Sequence, residues 1–160
     1  MALAQLKSEI TIGSWRFSGV HEVSIKQGIH GYAQSAFIKL PTRCVTRKGN
    51  ELKNVVTGNQ FLEGDKVVIK LGYSFNGTVA KMNTEFEGFV KRKNADMPIE
   101  IECEGYVRQL RLDVHLDKSY ESTTVKSVLQ DLIKGTDIQL QMDVDYKLAR
   151  QWHSWVATFG

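Results

Sequence analysis

At 160 residues the chain has room for one ordinary domain, or for one domain with a small appendage. A domain of this size buries roughly 70% of its unfolded surface, so it needs no disulfide staple. Its 42% hydrophobic and 24% charged residues exclude a disordered chain. The net charge is only +3, with both signs interspersed, so charge decides little about partners. No run approaches the ~20 apolar residues of a membrane span. Met1 to Leu6 lacks the apolar core and cleavage site of a signal peptide, so synthesis in the cytoplasm is expected. Cys44 and Cys103 read as buried apolar residues, with a disulfide between them left open.

Alternation with a period of two dominates the first two thirds and predicts half-buried strands. It begins at Glu9 to Ile12, breaks at Gly13-Ser14, resumes at Trp15 to Phe17, and continues from Val20 to Ile25. Gly28 and Gly31 bracket a turn. Ala36, Ile38 and Leu40 then share a face until Pro41, which has no ladder donor, ends the strand. From Pro41 to Asp65 the pattern dissolves into charges and Gly-Asn pairs, which predicts a long functional loop. Lys66 to Leu71 is the next strand, followed by a turn at Asn76-Gly77. Met82 to Val90 follows, with Phe86, Gly88 and Val90 on one face. Lys91 to Asn94 reads as a charged hairpin connection. Ile99, Ile101 and Cys103 then point one way and Glu100, Glu102 and Glu104 the other, one face buried and one wet. Val107 to Leu116 alternates again as a strand.

At Ser122 the period changes. Val125, Val128, Leu129, Leu132 and Ile133 form one apolar helical stripe, with N-caps available at Ser122, Thr123 and Thr124 and a stop at Lys134-Gly135. Ile138, Leu140 and Met142 read as a short strand. Leu148, Trp152 and Trp155 have the spacing of one more helix. The expected organisation is an antiparallel β domain over 1–118 with six to eight strands. Residues 119–160 add a helix, a short strand and a tail that pack on it or start a second small domain.

No constellation for catalysis stands out. His21, His30, His115 and His153 are scattered without metal-ligand spacing, and no nucleophile elbow or phosphate loop is present. The chain is therefore expected to be no enzyme and to bind no metal or cofactor. Glu100, Glu102 and Glu104 read as a solvated strand face whose crowded charge a basic partner relieves. The basic stretches Arg43 to Lys53 and Lys91 to Lys93 read as solvated hairpin tips or phosphate contacts. Trp15, Trp152 and Trp155 read as core or interface anchors.

One ordered series is more specific than its periodicity. Phe61-Leu62-Glu63-Gly64-Asp65-Lys66-Val67-Val68-Ile69-Lys70-Leu71-Gly72-Tyr73 precedes Phe86-Glu87-Gly88-Phe89-Val90 and Met97-Pro98-Ile99-Glu100-Ile101-Glu102-Cys103-Glu104-Gly105. With Ala36 to Pro41 before and Tyr120 to Leu129 after, the series resembles the first domain of baseplate hub proteins of contractile phage tails. Late-control and type VI secretion spike proteins carry similar stretches. The resemblance covers residues 8–135. It implies a rolled antiparallel sheet or split β-barrel, tail-tube-like, with one main α-helix. It also implies a structural place in a virion tail or baseplate, after synthesis in a bacterial host. Hubs carry two such domains per chain and form trimers, whereas this chain stops where a hub enters its second half, so a ring of six copies is the alternative to a trimer.

The implied partners are the chain itself as a ring, tail tube, spike and baseplate proteins, with no membrane and no specific nucleic acid. The residues expected at the inter-subunit interface are Arg43, Arg47, Lys48, Val55, Val56, Lys91, Arg92 and Lys93. A different class of function is an OB-like barrel binding single-stranded nucleic acid through Arg92, Lys93 and exposed aromatics.

Overall fold

A computed structural model describes residues 4–17, 19–28, 33–41, 43–48, 51–56, 61–75, 78–79, 82–94, 98–112, 118–120, 122–148 and 152–153. Of these, 44–48, 51–56, 78–79 and 152–153 are described in backbone only. The chain divides into two compact units, Met1–Val107 and Arg108–Gly160.

The first unit is a rolled antiparallel sheet. Its strands are β1 (Ala4–Ile12), β2 (Trp15–Phe17), β3 (Glu22–Lys26), β4 (Ser35–Leu40), β5 (Arg43–Lys48), β6 (Glu51–Val56), β7 (Lys66–Phe75), β8 (Thr78–Val79), β9 (Asn83–Asn94) and β10 (Ile99–Glu104). The main sheet has the order β2-β1-β7-β9-β10-β4-β3, with β8 pairing β7, while β5 and β6 form a separate hairpin. The fold is mainly β as expected, and among the described residues the sheet does not close on itself. Ile10, Ile12, Ala36, Ile38, Leu40, Val67, Ile69, Phe86, Val90, Ile99, Ile101 and Cys103 share its inner face and bury one another, with Phe17 and Phe61 filling the space between. The rings of Phe17 and Phe61 meet edge to face at 6.4 Å between centroids. Burial of this apolar surface is the main drive for the roll.

The Glu63-Gly64-Asp65 phrase has a local reason. Gly64 takes φ +90°, a region costly for other residues, and Gly13 takes φ +55° opposite it. The Asp65 carboxylate accepts from the Leu62 N–H at 2.8 Å and closes the turn. Gly64 N–H donates to the Val90 carbonyl and Val90 N–H to the Asp65 carbonyl, at 2.8 and 2.9 Å, so the turn docks β7 onto β9. Gly88 is required for a second close approach, since a Cβ there would lie 2.3 Å from the Glu104 carbonyl oxygen.

Three expectations are corrected in this unit. Arg43–Lys48 and Glu51–Val56 pair as antiparallel strands β5 and β6, with Arg43 opposite Val56 and Lys48 opposite Glu51, where a connection without regular structure was expected. Backbone pairing there needs no apolar period, which is why the sequence pattern hides it. Lys91 to Asn94 lie within β9 and so are no connection. Both β1 and β7 are longer than the alternation first marked, beginning at Ala4 and ending at Phe75. Cys103 is buried as expected, and the pairing with Cys44 that the sequence left open is not made, since its thiol is free. Burial pushes that thiol up to about 12.

The second unit is built on α2 (Val125–Ile133). Thr124 is the N-cap, its hydroxyl accepting from the Ser127 N–H at 3.3 Å, and Gly135 follows the helix at φ +89°. Asp145 accepts from the Lys126 N–H at 3.0 Å, tying the returning chain to the first turn. Asp131 gathers Lys118 at 2.6 Å and Tyr120 at 2.9 Å. Every residue of the apolar stripe is half-buried, and none is fully buried.

Three expectations change here. Val107–Leu112 is a helix, α1, because Val107, Leu110 and Arg111 also satisfy helical spacing and no partner strand is present among the described residues. Ile138, Leu140 and Met142 alternate in burial but join no ladder among the described residues. Trp152 and His153 form a strand, β12, against Ser119 and Tyr120 of β11, so this part of the tail is not helical. Trp155, His30 and His115 lie outside the described residues.

Candidate assembly interface

The sheet leaves edges open. β2 covers only Ile10 to Ile12 of β1, so Ala4 to Glu9 have β7 on one side and no described strand on the other. β3 pairs β4 alone and is the far end of the strand order. Open edges invite pairing with another chain unless they are blunted.

The open stretch of β1 is also apolar on one face. Leu6 stands opposite Tyr73 and Ala4 opposite Phe75, on the same face as the core pairs Ile10–Ile69 and Ile12–Val67. Yet Leu6, Tyr73 and Phe75 are 65%, 56% and 48% exposed. The core face therefore runs off the end of the fold as a contiguous apolar patch. Patches of this kind mark interaction sites more often than isolated surface leucines do.

The outer face is electrostatic. Lys39 reaches Glu22 at 3.1 Å and Glu100 at 3.6 Å, and Arg92 bonds Glu102 at 2.6 Å. Its bond to Glu22, then the field of that carboxylate, pushes the Lys39 ammonium above its ordinary value. The charge of the acidic row is thus relieved within the sheet by Lys39 and Arg92, with Glu100 and Glu102 still partly exposed and Glu104 buried. A cavity of about 450 Å³ crosses this face, lined among others by Ser24, Lys26, Phe37, Lys91 and Glu104.

The residues expected at the interface fall in two places. Arg43, Arg47 and Lys48 are on β5, and Val55 and Val56 are on β6, in a hairpin whose first strand lies beside β2. Arg43 is exposed; the side chains of the other four lie outside the described residues. Lys91, Arg92 and Lys93 are on β9, away from that hairpin in strand order. Lys91 and Arg92 are exposed, while Lys93 donates to the Phe61 carbonyl at 2.9 Å with its ammonium 5.8 Å from the ring centroid. The nucleic-acid reading calls on Arg92 and Lys93, and both are engaged within the sheet. Leu6, Tyr73 and Phe75 escaped the sequence reading. The signal was there, since Ala4-Gln5-Leu6-Lys7-Ser8 and Leu71-Gly72-Tyr73-Ser74-Phe75 extend the alternation of their strands.

Among the described residues no cluster of three His, Cys, Asp or Glu side chains is placed to hold a metal, and no helix is long and apolar enough to cross a membrane.

The architecture defines the class: a mainly β fold built on an antiparallel sheet. No protein family and no curated protein matches the chain in sequence. Among solved structures it is similar to the 43 kDa tail protein of prophage MuSo2 from Shewanella oneidensis, with a TM-score of 0.59 at 13% identity. The match covers 93% of this chain and 43% of that one, so the chain spans less than half the length of the tail protein it resembles. At that identity the likeness establishes the fold.

Proposed function

We propose that the chain is a structural subunit of a phage tail or a related contractile injection machine. It acts as a baseplate hub or tail-tube-like protein, assembling with copies of itself into a ring of three or six between tail tube and spike. Its neighbours are then tail tube, spike and baseplate proteins, its place is the virion tail, and it carries no catalytic step and no cofactor. The observation that supports this best is the apolar Leu6–Tyr73–Phe75 patch beside a strand edge that no described strand pairs, on a fold similar to a tail protein. A ring covers such edges in every copy at once. The β5–β6 hairpin, with Arg43, Arg47, Lys48, Val55 and Val56, extends the contact beside β2.

Native mass measurement of the full chain, followed by negative-stain microscopy, tests the reading. A closed ring that survives high salt is expected. A chain that stays monomeric and binds single-stranded DNA in a salt-sensitive manner would overturn it.

A further inference from the structure

The two open edges fit each other. From β1 to β3 the strand order is β1-β7-β9-β10-β4-β3, and every neighbouring pair is antiparallel. An even number of strands makes the two ends run in opposite directions, so copies related by a rotation meet β3 against β1 in an antiparallel pair. The open stretch Ala4 to Glu9 and the five residues Glu22–Lys26 are also matched in length.

We propose that β3 of one copy pairs antiparallel with the open stretch of β1 in the next, in the register that sets Glu22 opposite Lys7 and Val23 opposite Leu6. The inference rests on the ring reading above and names the joint that closes the ring. Face matching limits the choice. Val23 and Ile25 are half-buried against the core, opposite Ile38 and Ala36, so they lie on the same inner face as Leu6 and Ala4. The proposed register puts Leu6 on Val23 and Ala4 on Ile25, continuing the core across the junction.

Charge selects among the registers that remain. Glu22, Lys39 and Glu100 already form a row across β3, β4 and β10, alternating in sign. Lys7 opposite Glu22 extends that row by one more alternation. A shift of two residues one way sets Glu9 against Glu22, and a further such shift sets Lys7 against Lys26. Directly opposed like charges disfavour both. Self-pairing of β3 would match Glu22 with Lys26, but it leaves β1 open and Leu6 exposed. The head-to-tail joint covers both edges and closes by rotation.

Cysteines placed at the joint test it. Leu6→Cys and Val23→Cys in one full-length chain, with Cys44→Ser, should on mild oxidation give a covalent ladder ending at the ring number. Leu6→Cys with Ile25→Cys, the register two residues away, should cross-link weakly. Lys7→Glu, which sets two carboxylates opposite each other at the joint, should raise the concentration for half-assembly at least about tenfold. Circular dichroism checks that each variant folds. Rings that form without the Leu6–Val23 cross-link, or with the Ile25 pair dominant, would overturn the joint and leave the ring standing. Cross-linking that stops at dimers would replace it with self-pairing. A chain that stays monomeric and uncross-linked at every concentration would remove both joint and ring.

Discussion

The two ends of the β1–β7 ladder make an instructive pair. Ile10 opposite Ile69 and Ile12 opposite Val67 are wholly inaccessible to solvent. A few residues along, on the same face and in unbroken register, Leu6 opposite Tyr73 is more than half exposed. The ladder register is alike at both ends, although in β7 the buried positions change from Val67 and Ile69 to Gly72 and Ser74. What differs is what lies across the face. Phe17, Phe61 and Phe86 are buried in one cluster with Ile10 and Ile69, whereas Leu6, Tyr73 and Phe75 belong to no buried cluster among the described residues. Alternation thus fixes which way a residue points, while burial depends on what the rest of the fold can bring to it. An apolar face that continues past its own cover is surface prepared for something else.

The largest effects belong at the covered end. Gly88→Ala should destabilise by about 3 kcal/mol or more in urea denaturation, because the new methyl meets the Glu104 carbonyl and the Phe86 ring. Ile69→Ala, which empties a fully buried site, should cost about 2–5 kcal/mol. If either variant unfolds at the parent's midpoint, the covered end is not the core described above. Alkylating reagents should reach Cys103 only on unfolding, since burial shields its thiol and holds it protonated.

These inner-face residues were legible in the sequence. Phe86, Gly88 and Val90, then Ile99, Ile101 and Cys103, alternate with charged partners and land on the buried face as expected. The helix at Val125 was equally legible from its stripe and its Thr124 cap. The β5–β6 hairpin was not, because its pairing rests on backbone hydrogen bonds between charged and turn-forming residues that carry no period. Nor was α1, whose short run fits both periods. The candidate joint was legible only in part. Leu6 and Tyr73 alternate correctly, but their exposure is a property of the packed fold and not of either strand.

Effects in the second unit should be intermediate. Leu129→Ala should cost about 1–2 kcal/mol, below the range for a fully buried leucine, because its stripe is half-buried. Thr124→Ala removes the acceptor for Ser127 N–H and should cost about 1 kcal/mol. Asp131 adds a pH dependence. Its bonds from Lys118, then from Tyr120, hold the carboxyl below its ordinary 3.8. A depressed carboxyl stabilises the fold above its unfolded value, and that contribution is lost as pH falls below about 4 through the lower folded value. Lys118→Met should flatten this acid limb of the stability profile, and an unchanged limb would show that the pair carries no linkage.

The smallest effects on stability should come from the uncovered end, and there the comparison is sharpest. Leu6→Thr and Tyr73→Thr place a strand-favouring β-branched residue in the strand and remove only surface that is already wet. Each should shift the unfolding free energy of the dilute monomer by less than about 0.5 kcal/mol, the ordinary scale for a surface change. Assembly should respond differently. If the patch is covered by a neighbouring copy, either change should weaken the ring, and the two together should leave sedimentation profiles dominated by monomer. Ring formation unaffected by the double change would mean that the patch faces solvent in the assembled state as well. A monomer destabilised as much as by Ile69→Ala would mean that the patch is covered within its own chain, and the contrast between the two ends of the ladder would disappear.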